Sequence, residues 1–137
     1  MTTKRINPTG AVCLALLLSI GAAWAADPLY NPDPITVPDN EHLESVKVAL
    51  QAVLRDKNWQ VKHLGPGHME AQQVDTGKGG KVYVAVIDVK YNAKTVTITY
   101  KDSKALDYNK DKNEIDGKYT RWVRKLEKEI RKRLESY

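Results

Sequence analysis

From Lys81 to Tyr91, and again from Thr95 to Ser103, apolar and polar side chains alternate, and only Asn92-Ala93-Lys94 separates the two runs. A period of two marks a strand that buries one face. Three residues cannot carry a crossover, so the runs must pair as an antiparallel hairpin. Ile87, Val89 and Tyr91 share one parity and Val96, Ile98 and Tyr100 the matching one, so these six point into a core. Asp88, Lys90, Thr95, Thr97 and Thr99 take the opposite face. Two further strand-like runs precede the hairpin, Trp59 to Leu64 and Met69 to Val74, bounded by Gly65-Pro66-Gly67 and by the turn-forming stretch from Thr76 to Gly80. With every separator short, the four strands predict an antiparallel meander.

A one-sided sheet needs a covering layer, and the flanking segments supply it. Leu43, Val46, Leu50, Val53 and Leu54 recur with helical spacing after Asp39 and Asn40, either of which is a capping residue. Tyr119, Trp122, Val123, Leu126, Ile130 and Leu134 form a second stripe on a helix from about Lys118 to Tyr137. The expected fold class is α+β: a two-layer sandwich in which a four-stranded antiparallel meander carries two helices on one face, in the order α-β-β-β-β-α. It occupies residues 40–137 as one domain, which is what 137 residues allow once the N-terminus is set aside.

Residues 1–25 read as a signal peptide. Lys4 and Arg5 precede an apolar run from Ala11 to Ile20, and Ala23-Trp24-Ala25 is a small-residue cleavage site. The run falls short of the ~20 residues of a membrane span, so the expected product is exported and periplasmic. Cys13 leaves with the signal and stands too early in the apolar run to accept a lipid. The processed chain then has no cysteine and a net charge of +3 instead of +5. Residues 26–39, with Pro28, Pro32, Pro34 and Pro38, read as an extended, disordered arm. The alternative is docking on the domain through Leu29, Tyr30, Ile35 and Val37.

Several stretches carry a resemblance: Trp59 and Val61 before Pro66-Gly67, the strand pair ending in Tyr91 and Tyr100, then Ser103, Leu106 and Tyr108, and finally Tyr119, Arg121-Trp122-Val123, Leu126-Glu127 and Ile130. In these the chain resembles a family of small, mostly uncharacterised exported proteins and lipoproteins of Gram-negative bacteria. The resemblance covers most of residues 40–134 and is most specific at the start of the last helix. It implies an envelope location and the two-layer fold, and no chemistry.

Most candidate sites read as ordinary structure. His63 and His68 flank the Gly65-Pro66-Gly67 turn beside Met69, but two ligands are too few for the usual copper or zinc site. Asp107, Asn109 and Asp111 open like a calcium loop, yet Lys112 stands at the sixth position and Lys118 at the twelfth, where glycine and glutamate belong. Gly77-Lys78-Gly79-Gly80-Lys81 lacks the frame of a phosphate loop and reads as a turn. Ser45, Ser103 and Ser136 sit in no nucleophile elbow, and Ser103 reads as a strand terminator. No catalytic residue, metal or cofactor is expected.

Two surface features remain. From Lys118 to Tyr137 eight basic residues face three acids, a local charge of +5. Off the apolar stripe, Arg124, Lys125, Lys128, Arg131 and Lys132 are the candidate ligand-binding set for anionic lipid or polysaccharide. Export argues against nucleic acid. Val82, Val84 and Val86 have the parity of the uncovered sheet face and are the candidate surface for an envelope protein or for self-association. The expected function is thus a non-catalytic periplasmic binding or accessory module of the cell envelope. The alternatives are a purely electrostatic binder of anionic envelope polymers, acting through the C-terminal helix, and a small enzyme with a dispersed acid-base site at Asp88, His63 and Glu70.

Overall fold

In the computed structural model, which describes residues 26–136, two helices lie on one face of an antiparallel sheet. The expected signal peptide, its cleavage site, Cys13 and Tyr137 lie outside the described residues. The elements are β1 (Asp27–Pro28), β2 (Ile35–Thr36), α1 (Leu43–Asp56), β3 (Gln60–Gly65), β4 (His68–Thr76), β5 (Val82–Tyr91), β6 (Thr95–Lys104), β7 (Glu114–Ile115) and α2 (Gly117–Glu135), with a short 3-10 turn at Lys78–Gly80. The meander β3-β4-β5-β6 forms as the alternation predicts. The sheet has five strands, however, not four, because β2 adds to its edge beside β6.

That fifth strand comes from the proline-rich arm. Ile35 pairs with Val96 and Thr36 with Thr95, and the Val37 amide donates to the Lys94 carbonyl at 2.8 Å. Ile35 and Val37 are buried in the core. Nearer the start of the arm, Asp27 and Pro28 pair with Ile115 and Glu114 in a second, two-stranded ribbon. The arm is extended, as its prolines require, but it is a strap bound along the domain and not a disordered spacer. Short strand contacts at a sheet edge tolerate proline on either side, and two buried aliphatic side chains supply the attachment.

The core confirms the parity of the hairpin. Ala85, Ile87, Val89 and Tyr91 of β5 and Val96 and Ile98 of β6 are buried. They meet Val46, Leu50, Val53 and Leu54 of α1 and Tyr119, Val123, Leu126, Ile130 and Leu134 of α2. One irregularity breaks the alternation. Ile87 pairs with Tyr100 but Val86 pairs with Asp102, so Lys101 is an extra residue, a bulge in β6. Tyr100 and Ser103 therefore both turn to the helix side, where the phenol and the Ser103 hydroxyl are 2.8 Å apart. Ser103 lies within the strand and does not end it.

Local chemistry fixes the ends of the elements. α1 begins at Leu43, after neither Asp39 nor Asn40. The Pro38 carbonyl accepts from the Glu41 amide at 3.2 Å, so these residues are used in a turn, and His42 at the N-cap makes no side-chain bond. α2 is capped by Asp116, whose carboxylate accepts from the Lys118 amide at 2.8 Å. In the β5–β6 turn, Asn92 Oδ1 accepts from the amides of Lys94 and Thr95 at 2.7 and 2.8 Å. The stretch that opens like a calcium loop closes instead as a small hairpin, with Asn109 and Glu114 exchanging backbone hydrogen bonds.

Candidate functional site

α2 buries one stripe and sorts its cations around the remaining surface. On one flank Lys118 reaches Asp75 at 3.3 Å and Arg133 reaches Asp56 at 3.3 Å. On the other flank Arg131 grips Glu127, with Nε at 3.1 Å and Nη2 at 2.8 Å from the same carboxylate oxygen. Arg121, Lys125, Lys128 and Lys132 remain, exposed and without an ion pair among the described residues. Their spacings of four, three and four put them on a single line opposite the buried stripe, and eleven residues of helix make that line roughly 16 Å long. It is the crest of the helix.

The strap crosses the flank between this crest and Glu127. The Tyr30 phenol donates to the Glu127 carboxylate, and the Arg124 guanidinium stacks on the Tyr30 ring with its carbon 4.3 Å from the centroid. The hydrogen bond to Glu127, then burial, hold the Tyr30 phenol above its ordinary pKa. Of the five cations expected to bind, Arg124 and Arg131 are thus engaged within the molecule, and Lys125, Lys128 and Lys132 stand clear. Arg121 joins them. The 4, 3, 4 spacing that would have found Arg121 is present in the sequence; that Tyr30 reaches across 97 positions to Glu127 is not.

The opposite face of the sheet is bordered by neither helix. Val82 is 38% exposed, Val84 and Val86 are half-buried, and Val74, which pairs directly with Val84, is 46% exposed. The expected parity of the three valines holds. The other end of this face is ionic: His68 Nε2 lies 2.8 Å from Asp88 Oδ1, and Lys101 spans Glu70 at 2.5 Å and Asp88 at 3.9 Å. The bond to Glu70 is the main reason the Lys101 ammonium holds its proton above its usual range.

His63 belongs to neither group. It pairs across the hairpin with Met69, a core residue, while His68 pairs with Gly65 one register step away. His68 and Met69 are neighbours on β4 and point to opposite faces, so His63, which shares the face of Met69, is turned away from His68 and the two do not assemble as a metal pair. Among the described residues no group of three His, Cys, Asp or Glu side chains is placed to hold a metal ion. The acid-base trio is split the same way: Glu70 and Asp88 are cross-strand partners on the open face, and His63 lines a shallow depression on the helix side with Leu43, Lys47 and Tyr91. His68 takes the place beside Asp88 that the trio gave to His63.

Trp122 is half-buried. It packs at the edge of the core and lines a groove with Lys57, Trp59 and Lys125, while Tyr119 is the aromatic of α2 that is wholly enclosed. Among the described residues no helix is long and apolar enough to cross a membrane. No protein-family model matches the chain, and no curated protein matches it.

Proposed function

We propose that this chain is an exported, non-catalytic binding module of the cell envelope that docks on anionic lipid or polysaccharide through the crest of α2. The observation that carries the reading is the alignment of Arg121, Lys125, Lys128 and Lys132, four exposed cations without ion-pair partners among the described residues, along one rigid helix whose other face is locked in the core. A line of like charge on a fixed element attracts a polyanion without any rearrangement, and each basic residue near an anionic surface contributes about 1 kcal/mol. The cations on the flanks are spoken for by Asp56, Asp75, Glu127 and Tyr30, so the attraction is concentrated on the crest.

The test is co-sedimentation of the purified protein with vesicles of phosphatidylcholine containing phosphatidylglycerol. Replacing Lys125, Lys128 and Lys132 by glutamine should weaken binding by more than tenfold at low salt and leave the thermal midpoint nearly unchanged, because exposed charges contribute only ~0 to 1 kcal/mol each to stability. Equal binding by wild type and triple variant, or no binding by either, would overturn the reading.

A further inference from the structure

Between the strap and the first turns of α2 lies a cleft of about 470 Å³ that the electrostatic reading does not use. Pro28, Leu29 and Tyr30 form one wall, and Thr120, Arg121 and Arg124 the other. We propose that this cleft binds a phosphomonoester, in particular the headgroup phosphate of an amphiphile, with Arg121, Arg124 and Thr120 as its ligands. The proposal rests on the reading of α2 as an anion-binding face and names the headgroup chemistry which that reading leaves open.

Three observations converge on an anion. The Arg124 guanidinium carbon lies 4.3 Å from the Tyr30 ring centroid, which holds this side chain beside the strap, and a guanidinium's donor fork matches the spacing of phosphate oxygens. Neither Arg124 nor Arg121 has a carboxylate partner among the described residues, since Glu127, the nearest acid along the helix, is taken by Arg131 and Tyr30. Thr120, in the same wall, is only 9% exposed, and its hydroxyl has no hydrogen-bond partner among the described residues. Buried hydroxyls are rarely left so, and a bound oxygen would supply what the protein does not. The cleft also opens at the start of a 19-residue helix, whose N-terminal dipole end favours negative charge.

Gly117 adds room. A Cβ built there would lie 2.9 Å from Asp27 Oδ2 and 3.6 Å from Arg121 Nη1, so the absent side chain lets a carboxylate approach the helix terminus. Asp27 is the chain's own anion in this cleft, and an incoming phosphate would displace it. The apolar wall then receives the carbon chain next to the phosphate, which is why an amphiphile fits better than a bare ion.

The experiment compares vesicles doped with phosphatidic acid against vesicles doped to the same surface potential with phosphatidylglycerol, a phosphodiester. The wild type should prefer phosphatidic acid by about tenfold, the change that one charge-assisted hydrogen bond brings. Thr120→Val and Arg124→Gln should each remove the preference while keeping the phosphatidylglycerol binding of the crest, and Asp27→Asn should increase it. A parallel titration with glycerol phosphate, followed by amide NMR, should shift Thr120 and Gly117. Amide shifts without vesicle preference would assign the site to a soluble phosphomonoester instead of a headgroup. Equal vesicle binding with no amide shifts would overturn the cleft and leave the crest standing, whereas loss of vesicle binding altogether with amide shifts intact would overturn the crest and leave the cleft.

Discussion

Tyr119 shows how much one side chain can hold. Its ring is fully buried, edge-on to Tyr100 at 5.6 Å between centroids, and its hydroxyl has no hydrogen-bond partner among the described residues. Removing that hydroxyl relieves an unpaired polar group, so Tyr119→Phe should stabilise the fold by about 1 kcal/mol, read from the urea midpoint. Burial also pushes the Tyr119 phenol far above its ordinary 10.0, and burial raises Tyr91 and Tyr100 as well. All three hold their protons more tightly folded than unfolded. The stability they confer is therefore complete below pH 10.0 and is lost as the pH rises through the folded values. Alkaline titration should show tyrosinate absorbance from these residues rising together with unfolding, and Tyr119→Phe should move that transition to higher pH. Gly67 is a second residue whose role is conformational. It stands at φ +73°, and a Cβ there would lie 2.6 Å from the Tyr91 carbonyl oxygen, so Gly67→Ala should cost about 1 to 3 kcal/mol. A denaturant midpoint equal to wild type would show that the turn yields.

At the scale of elements, helices and strands differ in what attaches them. α2 is anchored by Leu126, Ile130 and Leu134, all fully enclosed, while Trp122 sits at the border of the core. Leu126→Ala should therefore destabilise by about 2 to 5 kcal/mol, and Trp122→Ala by less than Leu126→Ala, because a ring at the border of the core leaves no closed cavity. The strap is attached by Ile35 and Val37 at one end and by Tyr30 in its middle. Ile35→Ala should cost about 2 to 5 kcal/mol by the same argument, whereas Tyr30→Phe, which removes a partly exposed hydrogen bond, should cost about 1. If hydrogen exchange at the Val37 and Val96 amides is unchanged in Ile35→Ala, β2 is held by something other than its buried side chain. The two helices and the four strands of the meander were readable because each carries its own period. β1, β2 and β7 were not, since two residues have no period to detect and their pairing depends on partners up to 88 positions away.

For the whole molecule, the distribution of charge matters more than its sum. The net +5 of the chain conceals a segment from Lys118 to Tyr137 that carries the same +5 by itself. Vesicle binding should accordingly survive replacement of Lys110 and Lys112 by glutamine on the Asn109–Glu114 hairpin, which is not part of the crest, and fall with the crest lysines. It should also fall as salt rises and the screening length drops from ~10 Å at 0.1 M to ~3 Å at 1 M. Undiminished binding at high salt would point to apolar contact. Amino-acid order alone dictates the α+β class, the meander, the faces of Ile87, Val89, Val96 and Ile98, and the amphipathic last helix, because alternation and helical spacing are properties of neighbours along the chain. It does not dictate that the proline-rich arm closes the sheet, that Lys101 bulges so that Tyr100 and Ser103 share a face, that the pairing of His63 with Met69 parts it from His68, or that Tyr30 and Glu127 disarm two of the expected cations. Each of those follows from contacts between residues distant in sequence, whose energies are set by burial and geometry that exist only once the layers have packed.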